Sequence, residues 1–336
     1  MNTVKAEKIN TIKNTGQRLL KMNGSIALIA CIVMILFLSI TQGGLFFDPF
    51  NLQALMNAIA PEGIVALGMM ILLITGVFDL SVGSVMCFGG LVTAMLLAAK
   101  LPIIVAILAG LASGAAVGLI NGILVEILGI NALISTIGTM YVFRGFCELL
   151  LVGKGKGGFK DFPKEFIEIG RGDFIGVYWM FWILIILAVV FSIFIATRPT
   201  GRRLFAIGGN EPAAKLMGIK KRKIRISAFV VSGILAALAG ILITAKSDAA
   251  NRYTGQLSHM NVIIACVIGG GSMNGGQGSM LGAVLGITFL ALLQNAFNLF
   301  NVESSTQKVI IGAVLIAVVS FDGLMTLRRQ KELGRV

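Results

Sequence analysis

The sequence predicts an all-α membrane protein of about ten transmembrane helices, and three observations carry that class. Of its 336 residues 57% are hydrophobic and 13% charged, with a mean hydropathy of +0.93, whereas globular domains carry roughly a quarter charged residues. Apolar runs recur at the length of about 20 residues that a hydrocarbon core of about 30 Å demands. Lysine and arginine collect in three segments between or beyond those runs. The candidate spans cover roughly residues 25–42, 52–75, 81–99, 102–127, 130–151, 178–197, 226–246, 257–272, 280–300 and 306–326.

The first span follows a basic stretch (Lys13, Arg18, Lys21) with no small-x-small cleavage site behind it, and reads as an uncleaved helix. The second ends in a helix break, TGVFDLSVGS from Thr75 to Ser84. In the fourth, Gly110, Gly114, Gly118 and Gly122 line one face where another helix backbone can approach closely. In the fifth, four-residue steps place Asn131, Ser135 and Thr139 on one face, and Arg144 and Glu148 read as an ion pair near the outer end. Tyr178, Trp179 and Trp182 open the sixth span as an interface belt. The eighth is short and interrupted by glycine; the segment from Ala265 to Gly286 clusters glycines and predicts a second break, matching the first, so that the chain divides into two pseudo-repeated halves of five spans. Gln294, Asn298 and Asn301 form a polar stripe on the ninth span.

Charge sets the orientation. Residues 198–225 hold nine Lys or Arg against Glu211 alone; the segment 1–24 and the tail 327–336 are also basic, so all three are expected in the cytoplasm. The 152–177 loop mixes both signs and, five spans from the N-terminus, falls outside. The basic balance is thus topological and is no nucleic-acid footprint. Cys31, Cys87, Cys147 and Cys266 fall in apolar spans without metal-ligand spacing, and His259 is the single histidine, so metal and histidine-based catalysis are poorly supported. GKGKGGFK, from Gly153 to Lys160, has the wrong spacing for a phosphate-binding loop and no Ser or Thr after its lysine. The chain is not expected to be an enzyme.

Within the 198–225 loop, Asn210 offers an N-cap, Pro212 suits a first helical turn and Gly218 supplies a left-handed stop. A short docking helix is one reading of Gly208, Gly209, Asn210, Glu211, Pro212, Ala213, Ala214, Lys215 and Gly218; an ordinary solvated loop is the other. Polar residues placed where lipid makes them costly are candidates for a substrate path: Asp79, Ser81 and Ser84 at the first break, Asn121, then Asn131, Ser135, Thr136 and Thr139, and Asn298. Helix-to-helix hydrogen bonding would explain the same residues.

Five segments in order, FDLSVGS from Phe78, GLINGIL from Gly118, INALISTIGTMYVFRG from Ile130, GRRLFAIGGNEPAAKLMGI from Gly201 and the glycine-rich VIGGGSMNGGQGS, resemble the permease subunits of bacterial ABC importers for monosaccharides, of the branched-chain amino acid and sugar permease family. Gly76 to Asp79 read Gly-Val-Phe-Asp where that family commonly has Gly-Gly-Ile-Asp, nearer the arabinose-type branch. The resemblance implies a type II importer-like fold in the bacterial inner membrane, two permease subunits, a cytoplasmic ABC ATPase that holds the ATP and Mg, and an extracytoplasmic sugar-binding protein. The 208–218 segment would then seat in the ATPase, and alternating access would move a monosaccharide inward. An ATP-independent secondary carrier, or an importer of inositol or a signalling furanose, are the alternatives.

Overall fold

A computed structural model describes residues 24–154 and 158–332; the predicted N-terminal cytoplasmic segment, the middle of GKGKGGFK and the last tail positions lie outside these residues. Each predicted span holds a helix: α1 (Ser25–Phe46), α2 (Pro49–Ile74), α3 (Val82–Ala98), α4 (Ile103–Glu126), α5 (Ala132–Leu150), then a short helix α6 (Lys164–Arg171) in the 152–177 loop. It continues with α7 (Trp179–Thr197), α8 (Pro199–Gly209), α9 (Glu211–Leu216), α10 (Lys221–Ser247), α11 (Ser258–Ile268), α12 (Met280–Leu299) and α13 (Ser304–Glu332). Seven described helices, α1, α2, α4, α5, α7, α10 and α12, are long and apolar enough to cross a membrane; α3 and α11 are shorter apolar helices.

Helix α2 is the axis. The Asp48 carboxylate caps its start by accepting from the Phe50 amide at 2.8 Å, and from Ile59 onward every residue but Glu62 is buried, against α7, α10, α11 and α12. Its 26 residues span about 39 Å at 1.5 Å per residue. Lipid tails are as apolar as leucine, so close approach rather than exclusion from water must hold such helices together. The glycine face of α4 does this as the sequence predicts: Cβ atoms at Gly114 and Gly118 would strike the carbonyls of Gly233 and Phe229 on α10, and one at Gly110 would strike Thr93 of α3.

The two short helices have one cause. Between α2 and α3 the chain runs as an irregular segment, residues 75–81, before α3 begins; between α10 and α11, residues 251–257 do the same from the other side. These segments meet where Gly83 and Gly255 leave no room for a Cβ on either. Ser258, the first residue of α11, donates to Glu62 at 3.4 Å, and Glu62 lies about 18 Å up α2 from Ile74. Helix α11 therefore starts at mid-depth and descends about 16 Å over its 11 residues. The predicted second break is present, as the non-helical residues 269–279, but at another depth than the match to the first break implied. The glycine-rich turn 269–279 lies at the level of the end of α2, its Gly276 amide donating to the Ile74 carbonyl at 2.9 Å, and the mid-depth partner of the first break is 251–257. Those residues carry five polar side chains and one glycine among seven, which reads in sequence as an ordinary loop.

Opposite α8 and α9, two loops clasp. A strand pair of β1 (Phe159–Lys160) with a later strand sets Phe159 opposite Ala250, and Phe162 and Phe166 pack over Leu97 and Ala245; β2 (Asp173–Phe174) and β3 (Val177–Tyr178) form a hairpin leading into α7, and β4 (Ala249–Ala250) is the partner of β1.

Candidate translocation path and coupling junction

The basic loop folds as two helices rather than one. Helix α8 ends against the core: a Cβ at Gly208 would fall on the Ile74 carbonyl and the Gly276 amide, whereas Gly209 faces open space. Asn210 then caps α9, its Oδ1 accepting from the Ala213 amide at 3.0 Å; Pro212 sits in the first turn and Gly218 follows with φ of +73°. Ala214 packs inward, Lys215 is exposed in the last turn, and Leu216 and Met217 project with 91% and 65% of their surface open.

An ion network, buried at Glu126 and Arg225 and partly exposed at Glu211 and Lys221, ties α9 to three other elements. The Glu211 carboxylate pairs with Lys221 Nζ at 2.7 Å and Arg225 Nη2 at 3.2 Å; Arg225 Nη1 reaches Glu126, at the end of α4, at 3.1 Å, and Lys221 reaches the same carboxylate at 3.5 Å. Arg225 also donates from Nε and Nη2 to the Thr75 carbonyl, at 3.1 and 2.6 Å, where the first break, the inner break of residues 75–81, begins. Partial burial would raise the Glu211 carboxyl, but the hydrogen bond from Lys221 and the charge of Arg225 outweigh it and hold the group below its ordinary value.

The inner break is closed by side chains. Asp79 accepts from the Ser81 amide at 2.7 Å, from Ser81 Oγ at 2.6 Å and from Asn121 Nδ2 at 3.3 Å; Thr139 donates to Asn121 Oδ1 at 2.7 Å, and Ser84 to the Ser81 carbonyl at 2.7 Å. Four predicted path residues, Asp79, Ser81, Asn121 and Thr139, thus form one buried network that pins α4 and α5 to the break. The others do not join it. Asn131 stands outside α5 as its exposed N-cap, accepting from the Leu133 amide at 2.8 Å; Thr136 bonds the Ala132 carbonyl; Ser135 Oγ is buried without a partner among the described residues. Asn298 accepts from Gln307 at 3.3 Å, about 28 Å along α12 from Ser279.

The expected Arg144–Glu148 pair is corrected. Arg144 Nη1 instead donates to the carbonyls of Arg252 and Thr254 at 2.9 and 3.0 Å, because the irregular 251–257 segment presents carbonyls that no helix satisfies. Sequence reasoning missed Glu62, Glu126, Lys221 and Arg225. Glu62 carries a signal, as the lone charge within an apolar run; Lys221 and Arg225 do not, since they lie in a basic run whose members read alike.

A bundle with mid-depth helix starts, buried polar pins and a capped helix outside the core defines a multi-span helical membrane protein. The family profile described as "Branched-chain amino acid transport system / permease component" matches residues 51–319, and the chain belongs to that family. It is 35% identical over 272 residues to the L-arabinose transport system permease protein AraH of Escherichia coli, covering 81% of this chain and 82% of that protein. It is 33% identical over 277 residues to the L-arabinose ABC transporter permease protein AraH of Azospirillum brasilense, covering 82% and 81%. It is 33% identical over 298 residues to the ribose import permease protein RbsC of Haemophilus influenzae, covering 88% and 92%. No solved structure matches the chain.

Proposed function

We propose that the chain is the membrane subunit of an ATP-driven importer that passes a monosaccharide inward by alternating access, with ten spans, both termini in the cytoplasm of a bacterial inner membrane, and a type II arrangement. The observation that carries this reading is helix α9: it is capped, ion-anchored to the core, and tipped by two uncovered apolar side chains in the segment that charge assigns to the cytoplasm. Apolar tips outside lipid call for a protein partner. The partner in this reading is a cytoplasmic ABC ATPase, which binds ATP and Mg, with a second permease subunit and an extracytoplasmic sugar-binding protein completing the assembly. ATP-driven movement of α9 would act through Glu211 and Arg225 on the Thr75 carbonyl and so on the inner break.

The relatives are arabinose and ribose permeases, which supports a sugar as cargo. The test is co-purification of the chain with the ATPase encoded beside it, followed by ATP-dependent uptake in proteoliposomes with the neighbouring binding protein and a sugar panel. A stable complex whose ATPase is stimulated by one liganded binding protein is expected. Sugar uptake by the chain alone, without ATP, would establish a secondary carrier instead.

A further inference from the structure

Beside the coupling junction, an apolar groove of about 300 Å³ runs between α7 and α10, lined by Ile71 of α2, Phe194 and Ile195 of α7, Leu204 of α8, and Ser227 and Val231 of α10. Helix α7 packs on α2, α8 and α12, and the groove occupies the gap left between it and α10. Phe194 and Ser227 are exposed, so the groove opens away from the bundle, on the side where α7 meets lipid. Ile71 lies about 5 Å before the end of α2, which places the groove in the leaflet next to the basic loop. On α10 it runs from Ile224 to Val231, about 10 Å, or about two thirds of the roughly 15 Å of hydrocarbon in one leaflet. Cations stand at its loop-side end. Arg198 follows Ile195 by three residues, Arg203 lies one helical turn after Thr200, which also lines the groove, and Lys223 lies one turn before Ser227. All three are exposed, and none meets a carboxylate within ion-pair distance among the described residues, because Glu211, the one acid among residues 198–225, is taken by Lys221 and Arg225.

An apolar slot within one leaflet, with unpaired cations at its headgroup end, fits an acyl chain joined to a phosphate. Water gains little in a slot whose polar lining is two hydroxyls, Thr200 and Ser227, and a free anion would meet the cations and leave the slot empty. We propose that the groove seats an anionic phospholipid, one acyl chain between α7 and α10 and its phosphate among Arg198, Arg203 and Lys223. Basic pockets between spanning helices select anionic headgroups in this way, whereas the cationic group of a zwitterionic lipid is repelled by the same cluster. The position gives the lipid a consequence. Leu204 belongs to α8, whose Gly208 abuts the Ile74 carbonyl, and Ile224 immediately precedes Arg225 of the ion network. A chain seated there fills the space beside α8 and supports the junction from the lipid side. The inference goes beyond the importer reading and does not require it.

The test uses the full chain in bilayers that mix phosphatidylglycerol with phosphatidylcholine. Trp179 and Trp182 are the two tryptophans, so replacing both by Phe and adding Phe194→Trp sets a single indole in the groove, where brominated acyl chains on either lipid report contact by quenching it. Phosphatidylglycerol should be preferred by about fivefold or more at about 0.1 M salt, and the preference should fade near 1 M. Arg203→Gln together with Lys223→Gln should abolish it, whereas Arg202→Gln, a loss of charge half a turn round α8 from Thr200, should leave it in place. In the chain with both native tryptophans, phosphatidylglycerol that survives detergent purification, counted by native mass spectrometry, should be lost from Ser227→Phe, which fills the groove at its exposed edge. Equal quenching by the two lipids would overturn the site. A preference that Arg202→Gln lowers as much as the rim pair does would assign the attraction to the whole basic loop and overturn it too, as would retained lipid that Ser227→Phe does not change. Loss of the preference when the ATPase encoded beside the chain is added would give the cations to that protein instead of a lipid. None of these readings depends on sugar uptake, so failure of the importer reading and failure of the lipid site are separate results.

Discussion

The inner break, 75–81, and the outer break, 251–257, do the same job of starting a helix at mid-depth, and they are held by opposite means. The inner one is buried and closed on itself: Asp79, Ser81, Asn121 and Thr139 satisfy one another, and Arg225 fixes its first carbonyl. The outer one is open. Arg252, Tyr253 and Leu257 are exposed, a single guanidinium from α5 gathers its carbonyls, and Leu257 enters α11 at φ of +85°, a left-handed conformation that costs a non-glycine residue about 1–2 kcal/mol. Irregular backbone at membrane depth survives only against protein or water. The inner break takes the first route and the outer break, with Arg252, Tyr253, Gln256 and Leu257 exposed, takes the second. In an importer this difference would make the inner break a fixture that moves as a unit and the outer break the yielding side.

That contrast can be broken most severely at Arg225. Arg225→Met leaves Glu126 buried and the Thr75 carbonyl without its donor, and should cost about 3–5 kcal/mol, seen as a large fall in the thermal midpoint of the purified permease. An unchanged midpoint would mean that the junction does not hold the inner break. Next comes the contact between the breaks: Gly83→Val drives a side chain into the Gly255 carbonyl and should cost about 1–3 kcal/mol, with uptake reduced at least tenfold. Uptake at the wild-type rate would show that the two segments separate freely. Sharpening the difference requires a matched pair. Thr139→Val removes one interhelical hydrogen bond of the inner break, worth about 0.6–1.7 kcal/mol, and Arg144→Met frees the outer carbonyls to water at a smaller cost. Hydrogen exchange at residues 251–257 should rise in the second variant, while exchange at 75–81 stays slow; equal changes in both would erase the distinction.

The smallest effect belongs to Glu211. Its pairs are partly exposed, so Glu211→Gln should cost only about 0.2–1 kcal/mol. Because the folded carboxyl lies below its ordinary value, that contribution is complete above about pH 4.3 and disappears as the pH falls through the depressed value. Stability curves of the two proteins should therefore converge in acid; a difference that persists there would assign the effect to packing rather than charge. ATPase docking is the functional readout of the same variant in the importer reading.

Much of the architecture could be read before any coordinates. Backbone groups in lipid must be satisfied within their own segment, so an apolar run of sufficient length becomes a helix almost regardless of its neighbours. Seven of the described helices reached spanning length, and the runs at 81–99 and 257–272 gave shorter ones. The cap, proline and glycine of α9 were equally local, each acting within a turn of its own position. What failed were readings that needed a partner. Arg144 and Glu148 are correctly spaced to pair on a helix, yet the guanidinium found two unsatisfied carbonyls on another segment. Asn131, in step with Ser135 and Thr139, stood one residue outside the helix that would have given the step meaning. The glycine-rich turn announced itself loudly, while the break that mattered, 251–257, carried an ordinary loop composition.

The sequence by itself determined a multi-span helical bundle, a basic face, a glycine seam on α4 and a capped helix in the basic loop, since each follows from composition or from spacing within one segment. Only the tertiary structure decided which of the clustered cations enter the core, that Asp79, Asn121 and Thr139 share one network, and that Glu62 accepts from Ser258 of α11. Those facts depend on distances between helices remote in the chain, and a hydrogen bond or an ion pair vanishes over an ångström or two that no local pattern encodes.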